Sequence, residues 1–319
     1  MRVAIIVPYF GRLPNYFQLF LDSCGQNPEF DWLIISDDTT EYVYPPNVHF
    51  RQMTFSQCRE KIQARFDFRI SLNTPQKLCD FKCAYGYLFE DILAEYDWWG
   101  HCDLDQIFGR LSDFITEEML GNLDKIGSLG HLTLYRNTRE NNRVFMSTDR
   151  YRSVFTTEKG CAFDEWLPDN INDIFLASGQ RIDLNNPGAD INAYRTTFQT
   201  VEFNLDGRYY EKSPVTNSIF LWDKGCLTQL FEGGTREYPY VHLQKRKMTD
   251  ARVDKAAGKF FIVPNCFVDG TADPVRLLKT AKGRGLVNTQ FFAVKWKSLK
   301  YRIHSGDWKF GNVFSLRGS

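Results

Sequence analysis

The segment Trp98-Trp99-Gly100-His101-Cys102-Asp103-Leu104-Asp105-Gln106-Ile107-Phe108-Gly109 ends an apolar, aromatic run in Asp-x-Asp. Alternate side chains of a strand point to opposite faces. At the strand's carboxyl end, where the chain leaves the sheet, two carboxylates so spaced can turn toward one point. Hard oxygen ligands placed close together suit Mg²⁺ or Mn²⁺, with the remaining positions left for water and substrate phosphates. The pair therefore points to the chemistry of a sugar nucleotide. His242 adds an imidazole to this set, giving Asp103, Asp105 and His242 as candidate metal ligands. Lys245 and Lys247 follow it in Gln244-Lys245-Arg246-Lys247 and could offset phosphate charge. Two further groups suit the rest of a nucleotide. The turn Pro8-Tyr9-Phe10 could hold a base, and Asp37-Asp38 could accept hydrogen bonds from base or ribose.

These residues need a scaffold that brings them together, and the chain reads as one. Val3 to Val7 is an unbroken apolar run, as expected of a strand buried on both faces of a parallel sheet. Pro14 to Asp22 reads as a helix with Pro14 in its first turn, and Trp32 to Ile35 as a second buried strand. Strand, helix, strand indicates an α/β sheet. Asn73-Thr74-Pro75 opens another helix, with Thr74 as cap, whose core stripe is Leu78, Phe81, Tyr85, Leu88, Phe89 and Ile92. A helix from Ser112 to Leu120 follows the Trp98 strand, and Lys125 to Tyr135 is strand material broken by Gly127 and Gly130. Thr138 to Asn217 is polar and irregular, the kind of segment that carries specificity. Asp223-Lys224-Gly225 between two apolar runs signals a hairpin. Tyr238 to Leu243 and Phe260 to Val263 are two more strands. In an open α/β sheet, ligands bind beyond the carboxyl ends of the strands. All four candidate groups fall there. His101, His131 and His304 have no context that marks them for chemistry, and His101 is expected to be structural.

The chain has 319 residues, enough for one large α/β domain with an appendage, and its 27 Phe and 15 Tyr exclude disorder. Net charge is zero but unevenly spread, with 16 Lys and Arg against 5 acidic residues from Lys245 onward. This divides the chain into a body, 1–250, and a basic, aromatic appendage, 251–319. The tail interleaves Arg276, Lys279, Lys282, Arg284, Lys295, Lys297, Lys300 and Arg302 with Leu277, Leu278, Phe291, Phe292 and Trp296, a mix suited to a membrane surface. The basic residues belong to no recognisable nucleic-acid module, so nucleic acid is not an expected partner. Eight cysteines without a Cys-x-x-Cys fit structural thiols in a reducing cytosol. No stretch approaches the roughly 18 apolar residues of a membrane span. The expected location is cytoplasmic, peripheral to the inner face of the membrane.

Several blocks together resemble a bacterial family of GT-A glycosyltransferases found among genes for capsule, O-antigen and other surface polysaccharides. They are Val3 to Pro8, Lys77-Leu78-Cys79-Asp80-Phe81-Lys82, Trp98 to Gly109, Gly130 to Asn137, Phe163-Asp164-Glu165 and Tyr240 to Met248. The resemblance spans roughly residues 1 to 250. More distantly the chain is similar to glycogenin-like and galactosyltransferase enzymes, in which Asp-x-Asp and a late His bind Mn²⁺. Asp103, Asp105 and His242 match that logic, whereas Gln244-Lys245-Arg246-Lys247 replaces the usual Gly and Lys spacing. Retention or inversion is therefore left open. The resemblance implies a GT-A-like, mostly parallel sheet flanked by helices and a nucleotide-sugar donor, a UDP-sugar first. It also implies a glycan or lipid-linked glycan acceptor. Lys77, Asp80 and Lys82 would approach the donor, with Asp80 on sugar hydroxyls. Asp164 or Glu165 would act as base on the acceptor hydroxyl. Two other classes compete: a sugar-1-phosphate nucleotidyltransferase, whose Gly-rich loop is not matched by Tyr9-Phe10-Gly11-Arg12-Leu13-Pro14, and a carbohydrate-binding protein with a degenerate site.

Overall fold

In the computed structural model, the first strand buries both faces, as its unbroken apolar run requires. Val3, Ile5 and Val7 enter one core with Trp32, Ile34, Trp98 and helix Phe17–Cys24, while Ala4 and Ile6 enter another with Trp99 and Tyr135. The structure describes residues 1–285 except 166–168, 205–208, 245, 247, 249–252 and 254–257, together with Phe292, Trp296, Leu299 and Lys300. Its strands in chain order are β1 Val3–Pro8, β2 Phe30–Ser36, β3 Val48–Gln52, β4 Trp98–Cys102, β5 Gln106–Phe108, β6 Lys125–Ile126, β7 Leu132–Arg136, β8 Ile182–Asp183 and β9 Ala189–Ile191. They continue with β10 Thr200–Asn204, β11 Tyr209–Lys212, β12 Ser218–Asp223, β13 Cys226–Phe231, β14 Gly234–Glu237, β15 Tyr240–His242, β16 Lys259–Val263 and β17 Cys266–Asp269.

A mixed α/β architecture results, with a seven-stranded, mostly parallel sheet in the order β3-β2-β1-β4-β7-β6-β8. A second sheet, β11-β10-β9-β15-β5, begins where the chain leaves β4. A third, antiparallel sheet has the order β14-β13-β12-β16-β17. Its β12–β13 hairpin turns through Lys224 and Gly225, with φ of 48° and 86°. Two successive positive φ values are what a two-residue hairpin needs, and Gly meets the second without strain. Residues on either side of position 250 share this sheet, because β16 pairs with β12. Helix Pro274–Gly285 packs Leu277 and Ala281 against Ile219, Phe261 and Val263. Among the described residues, no helix is long and apolar enough to cross a membrane.

Three elements depart from the sequence expectation. The first helix is Phe17–Cys24, so Pro14 precedes it and does not lie in its first turn. The helix expected from Pro75 is a 3-10 helix, Pro75–Ala84, followed by two short α-turns, Tyr85–Leu88 and Glu90–Leu93. Thr74 has the extended backbone of a cap but makes no capping side-chain bond. Phe81 stacks on Phe155 at 4.0 Å, and Leu78, Phe81 and Ala84 are all buried. Side chains three apart eclipse one another in a 3-10 helix, so the segment presents rows rather than a spiral stripe. The expected helix Ser112 to Leu120 is a 3-10 turn, Leu111–Asp113, and a later helix, Glu117–Asn122, capped by Thr116.

Lys125 lies fully buried in β6, donating to the Gly127 carbonyl and to Asn172 Oδ1 at 2.7 Å. Burial pushes its ammonium down to about 7, against smaller opposing pulls from Cys83, Asp164 and Asp183. The unfolded chain holds that proton up to about pH 10. Between about pH 7 and pH 10 the unfolded state thus binds a proton the folded state lacks, and stability rises with pH. Urea unfolding of the wild type should show this rise, and Lys125→Met should flatten it. Parallel curves for the two proteins would count against a depressed lysine.

Candidate functional site

Beyond the carboxyl ends of β1 and β4 lies a cavity of about 850 Å³. Pro8, Tyr9 and Phe10 form one wall, and Asp103 and Asp105 another. A third wall is the row Gln76, Cys79, Lys82, each three residues from the next, which the 3-10 helix turns to the cavity. The next row, Lys77, Asp80 and Cys83, faces inward for the same reason.

The Asp-x-Asp pair is held by backbone. Asp103 N donates to the His131 carbonyl at 3.2 Å, and Leu243 N donates to the Asp105 carbonyl at 2.7 Å. Antiparallel pairing sets His242 opposite Gln106, the residue after Asp105. The ring's Nε2 then lies 3.3 Å from Asp105 Oδ1 and 3.8 Å from Asp103 Oδ2. On its other side, parallel pairing sets His242 opposite Asp190 of β9, whose Oδ1 is 2.9 Å from Nδ1. Gln244 Nε2 donates to the same oxygen at 2.6 Å. Asp103, Asp105 and His242 each present a ligand atom within 4.8 Å of the others. Two carboxylates and an imidazole with its far nitrogen fixed by a carboxylate form a donor set that fits Mn²⁺ or Mg²⁺. Asp190 is 3% exposed and was not foreseen from sequence, where Ala189-Asp190-Ile191 is only an acid between two apolar residues.

Charges in the cluster balance locally. Burial opposes the His242 imidazolium, but Asp105 and Asp190 outweigh it and hold the ring's pKa well above the ordinary histidine value. Burial likewise opposes the Asp190 carboxylate, and the bond from His242 keeps its pKa below the usual range. Lys82 Nζ donates to Asp103 Oδ1 at 2.7 Å and to the Gly130 carbonyl at 2.8 Å, and stands 3.9 Å from Asp164 Oδ2. Burial works against its charge, and Asp103 and Asp164 overcome it, raising the lysine well above its normal value. Asp103 is lowered against burial, by Lys82 first. Asp164 goes the other way: burial, then the charge of Glu165, push it well above the carboxylate range. Glu165 Oε1 accepts from Gly130 N at 2.6 Å. A Cβ at Gly130 would overlap Asp164 Oδ2 and stand 2.8 Å from Glu165 Oε1, so this approach requires glycine.

Other candidates occupy supporting positions. Asp37 Oδ1 accepts from Gly11 N at 2.8 Å, and Asp38 Oδ2 from Leu13 N at 3.3 Å. Both hold the loop that carries Tyr9 and Phe10, and neither lines the cavity. Lys77 Nζ pairs with Asp80 at 2.7 Å and donates to the carbonyls of Val154 and Lys159. Asp80 accepts from the backbone of Cys161 and Phe163. The pair thus anchors the segment leading to Asp164 and Glu165, behind the cavity wall. Lys245 and Lys247 lie outside the described residues, as does His304. Arg246 lines the cavity but spends its guanidinium on the carbonyls of Asn192, Arg195 and Thr196. His101 is buried against the Gly130 carbonyl, as expected.

A family profile matches residues 5–271, described as "Family of unknown function (DUF6625)". The chain belongs to that family. No curated protein matches it. Among solved structures, the galactosyltransferase LgtC in complex with donor and acceptor sugar analogs is similar at 11% identity. The match covers 61% of this chain and 77% of that one, with a TM-score of 0.33. An active-site mutant of LgtC is similar at 10% identity, covering 61% and 76%, with a TM-score of 0.35.

Asp190→Asn should weaken Mn²⁺ binding about 10- to 100-fold, because an amide cannot fix the His242 ring as a carboxylate does. Electron paramagnetic resonance of free Mn²⁺ during titration measures this. An unchanged affinity would remove Asp190 from the site.

Proposed function

We propose that this chain is a metal-dependent glycosyltransferase that moves a sugar from a nucleoside-diphosphate donor to a glycan acceptor. The observation that carries the reading is the convergence of Asp103, Asp105 and His242 at one end of a nucleotide-sized cavity. Asp103, Asp105 and His242 would hold Mn²⁺ or Mg²⁺. Bound there, the ion would supply positive charge for the departing diphosphate.

In this reading Tyr9 and Phe10 offer rings to the base, on a loop whose shape Asp37 and Asp38 hold. Lys82 lines the cavity and stands beside Asp103, where donor phosphates would gather. Preorganised charge of this kind needs no reorganisation as the diphosphate leaves. Lys77 and Asp80 act by position, fixing the backbone before Asp164 and Glu165. Those two carboxyls remain the candidates for base on the acceptor hydroxyl. The Asp164 carboxyl favours its protonated form, which counts against it as the base. The acceptor class that the sequence resemblance supports is a surface polysaccharide, as capsule or O-antigen, free or lipid-linked.

A panel of UDP-, GDP-, CMP- and dTDP-sugars, each with and without Mn²⁺, tests the reading by thermal shift. One nucleotide should stabilise the wild type only with Mn²⁺, by about 2.7 kcal/mol at a hundredfold excess over Kd. Asp105→Ala should lose that stabilisation. No shift with any nucleotide would sink the donor site and favour a carbohydrate-binding protein.

The tail has a separate place in the proposal. Val275, Phe292 and Trp296 are exposed, as are Arg276, Lys279 and Lys300, and this combination suits anionic lipid. Flotation with phosphatidylglycerol vesicles should be strong for the full chain and weak after removal of residues 274–319. Equal flotation would exclude membrane contact through the tail.

A further inference from the structure

Behind His242 lies a second set of ligand atoms. His131 Nδ1 is engaged by the Tyr240 hydroxyl at 2.9 Å, which leaves Nε2 as the ring's remaining nitrogen, buried and without a partner. Asp190 spends Oδ1 on His242 and Gln244, while its Oδ2 is buried and without a partner. The His131 ring packs against His242 with centroids 4.8 Å apart. His131, Asp190 and His242 are 2%, 3% and 7% exposed, and one ligand atom from each lies within 4.8 Å of the others. Buried polar atoms left unpaired are costly, so two of them within one cluster of ligating side chains call for an occupant.

We propose that His131, Asp190 and His242 form a second, buried cation site, suited to a borderline divalent ion such as Zn²⁺, and that it competes with Asp103 and Asp105 for His242. The inference rests on the reading of Asp103, Asp105 and His242 as a metal site. Two imidazoles and one carboxylate favour Zn²⁺, whereas the outer set, richer in carboxylate, favours Mg²⁺ or Mn²⁺. Zinc ligands stand about 2.0–2.2 Å from the ion, so binding would draw the three groups inward. The Tyr240 hydroxyl on His131 Nδ1 supplies the outer hydrogen bond that a ligating histidine uses to fix its ring. Competition follows from the imidazole itself. A neutral ring has one lone pair. If Nδ1 gives it to the inner ion, Nε2 carries the proton and presents N–H to Asp105. His242 then serves one ion at a time.

The test uses full-length protein freed of metal, with Zn²⁺ affinity read by a chromophoric chelator and Mn²⁺ by electron paramagnetic resonance. Zn²⁺ should displace Mn²⁺ from the wild type. His131→Gln should weaken Zn²⁺ at least about tenfold and leave Mn²⁺ affinity within about twofold. Asp103→Asn should do the reverse. Loss of Zn²⁺ in Asp103→Asn but not in His131→Gln would place zinc at the outer site and overturn the proposal. Simultaneous binding of both ions would overturn the competition. X-ray absorption of the zinc-loaded wild type avoids any folding defect in a variant: two imidazoles on zinc support the inner site, and one refutes it. If Mn²⁺ fails to bind but zinc shows two imidazoles, the glycosyltransferase reading falls and the inner site stands.

Discussion

Five carboxylates, Asp103, Asp105, Asp164, Glu165 and Asp190, crowd one end of two sheets, and the rest of the site is arranged around that charge. Unit charges 4 Å apart interact by about 4 kcal/mol at an effective dielectric near 20. Withdrawing each ion from water costs several kcal/mol more. Such a cluster folds only if cations or protons are built in. Lys82 answers Asp103, and an imidazolium at His242 answers Asp105 and Asp190 together. Asp164, with Lys82 at 3.9 Å and Glu165 beside it, is driven toward its protonated form instead.

Strand register does the placing. β15 pairs with β5 on one side and β9 on the other, so His242 receives Asp105 and Asp190 from opposite flanks. The 3-10 period of Pro75–Ala84 separates its two lysines by role: Lys82 falls in the cavity row, and Lys77 in the inner row with Asp80. In an α-helix, residues 77 and 82 would also point apart, but Gln76, Cys79 and Lys82 would not align. Gly130 then allows the carboxyls of Asp164 and Glu165 to approach the backbone that also receives Lys82.

What was legible in the chain is what local pattern encodes. Unbroken apolar runs marked β1, β2 and β4, the Asp-Lys-Gly turn marked the β12–β13 hairpin, and Asp-x-Asp marked the end of β4. Those features depend on neighbours within a few residues. β3 and helix Phe55–Gln63 gave no such signal: the exposed strand Val-His-Phe-Arg-Gln buries only Val48, and the helix buries only Cys58 and Ile62. Asp190 and His131 were illegible for a different reason. Their chemistry comes from pairing across 52 residues in one case and 109 in the other, and nothing in Ala-Asp-Ile or Gly-His-Leu reports it. Lys77 and Asp80, which the resemblance places toward the donor, pair with each other in the inward row of the 3-10 helix, a contact that only the folded period reveals.

The cluster is a balanced set of charges, and this shapes how it could take a ligand. Lys82 already claims Oδ1 of Asp103, so Oδ2, the oxygen that faces the imidazole, is the one Asp103 would offer to a proposed ion. His242 donates toward Asp105 and Asp190 when charged, so the proposed ion would enter by displacing a proton, not by filling an empty charge. The exchange would replace one positive charge by two, and the added charge would be the one that donor phosphates offset. A site so built can fold before its ligand arrives, because the proton and the lysine have already answered the carboxylates.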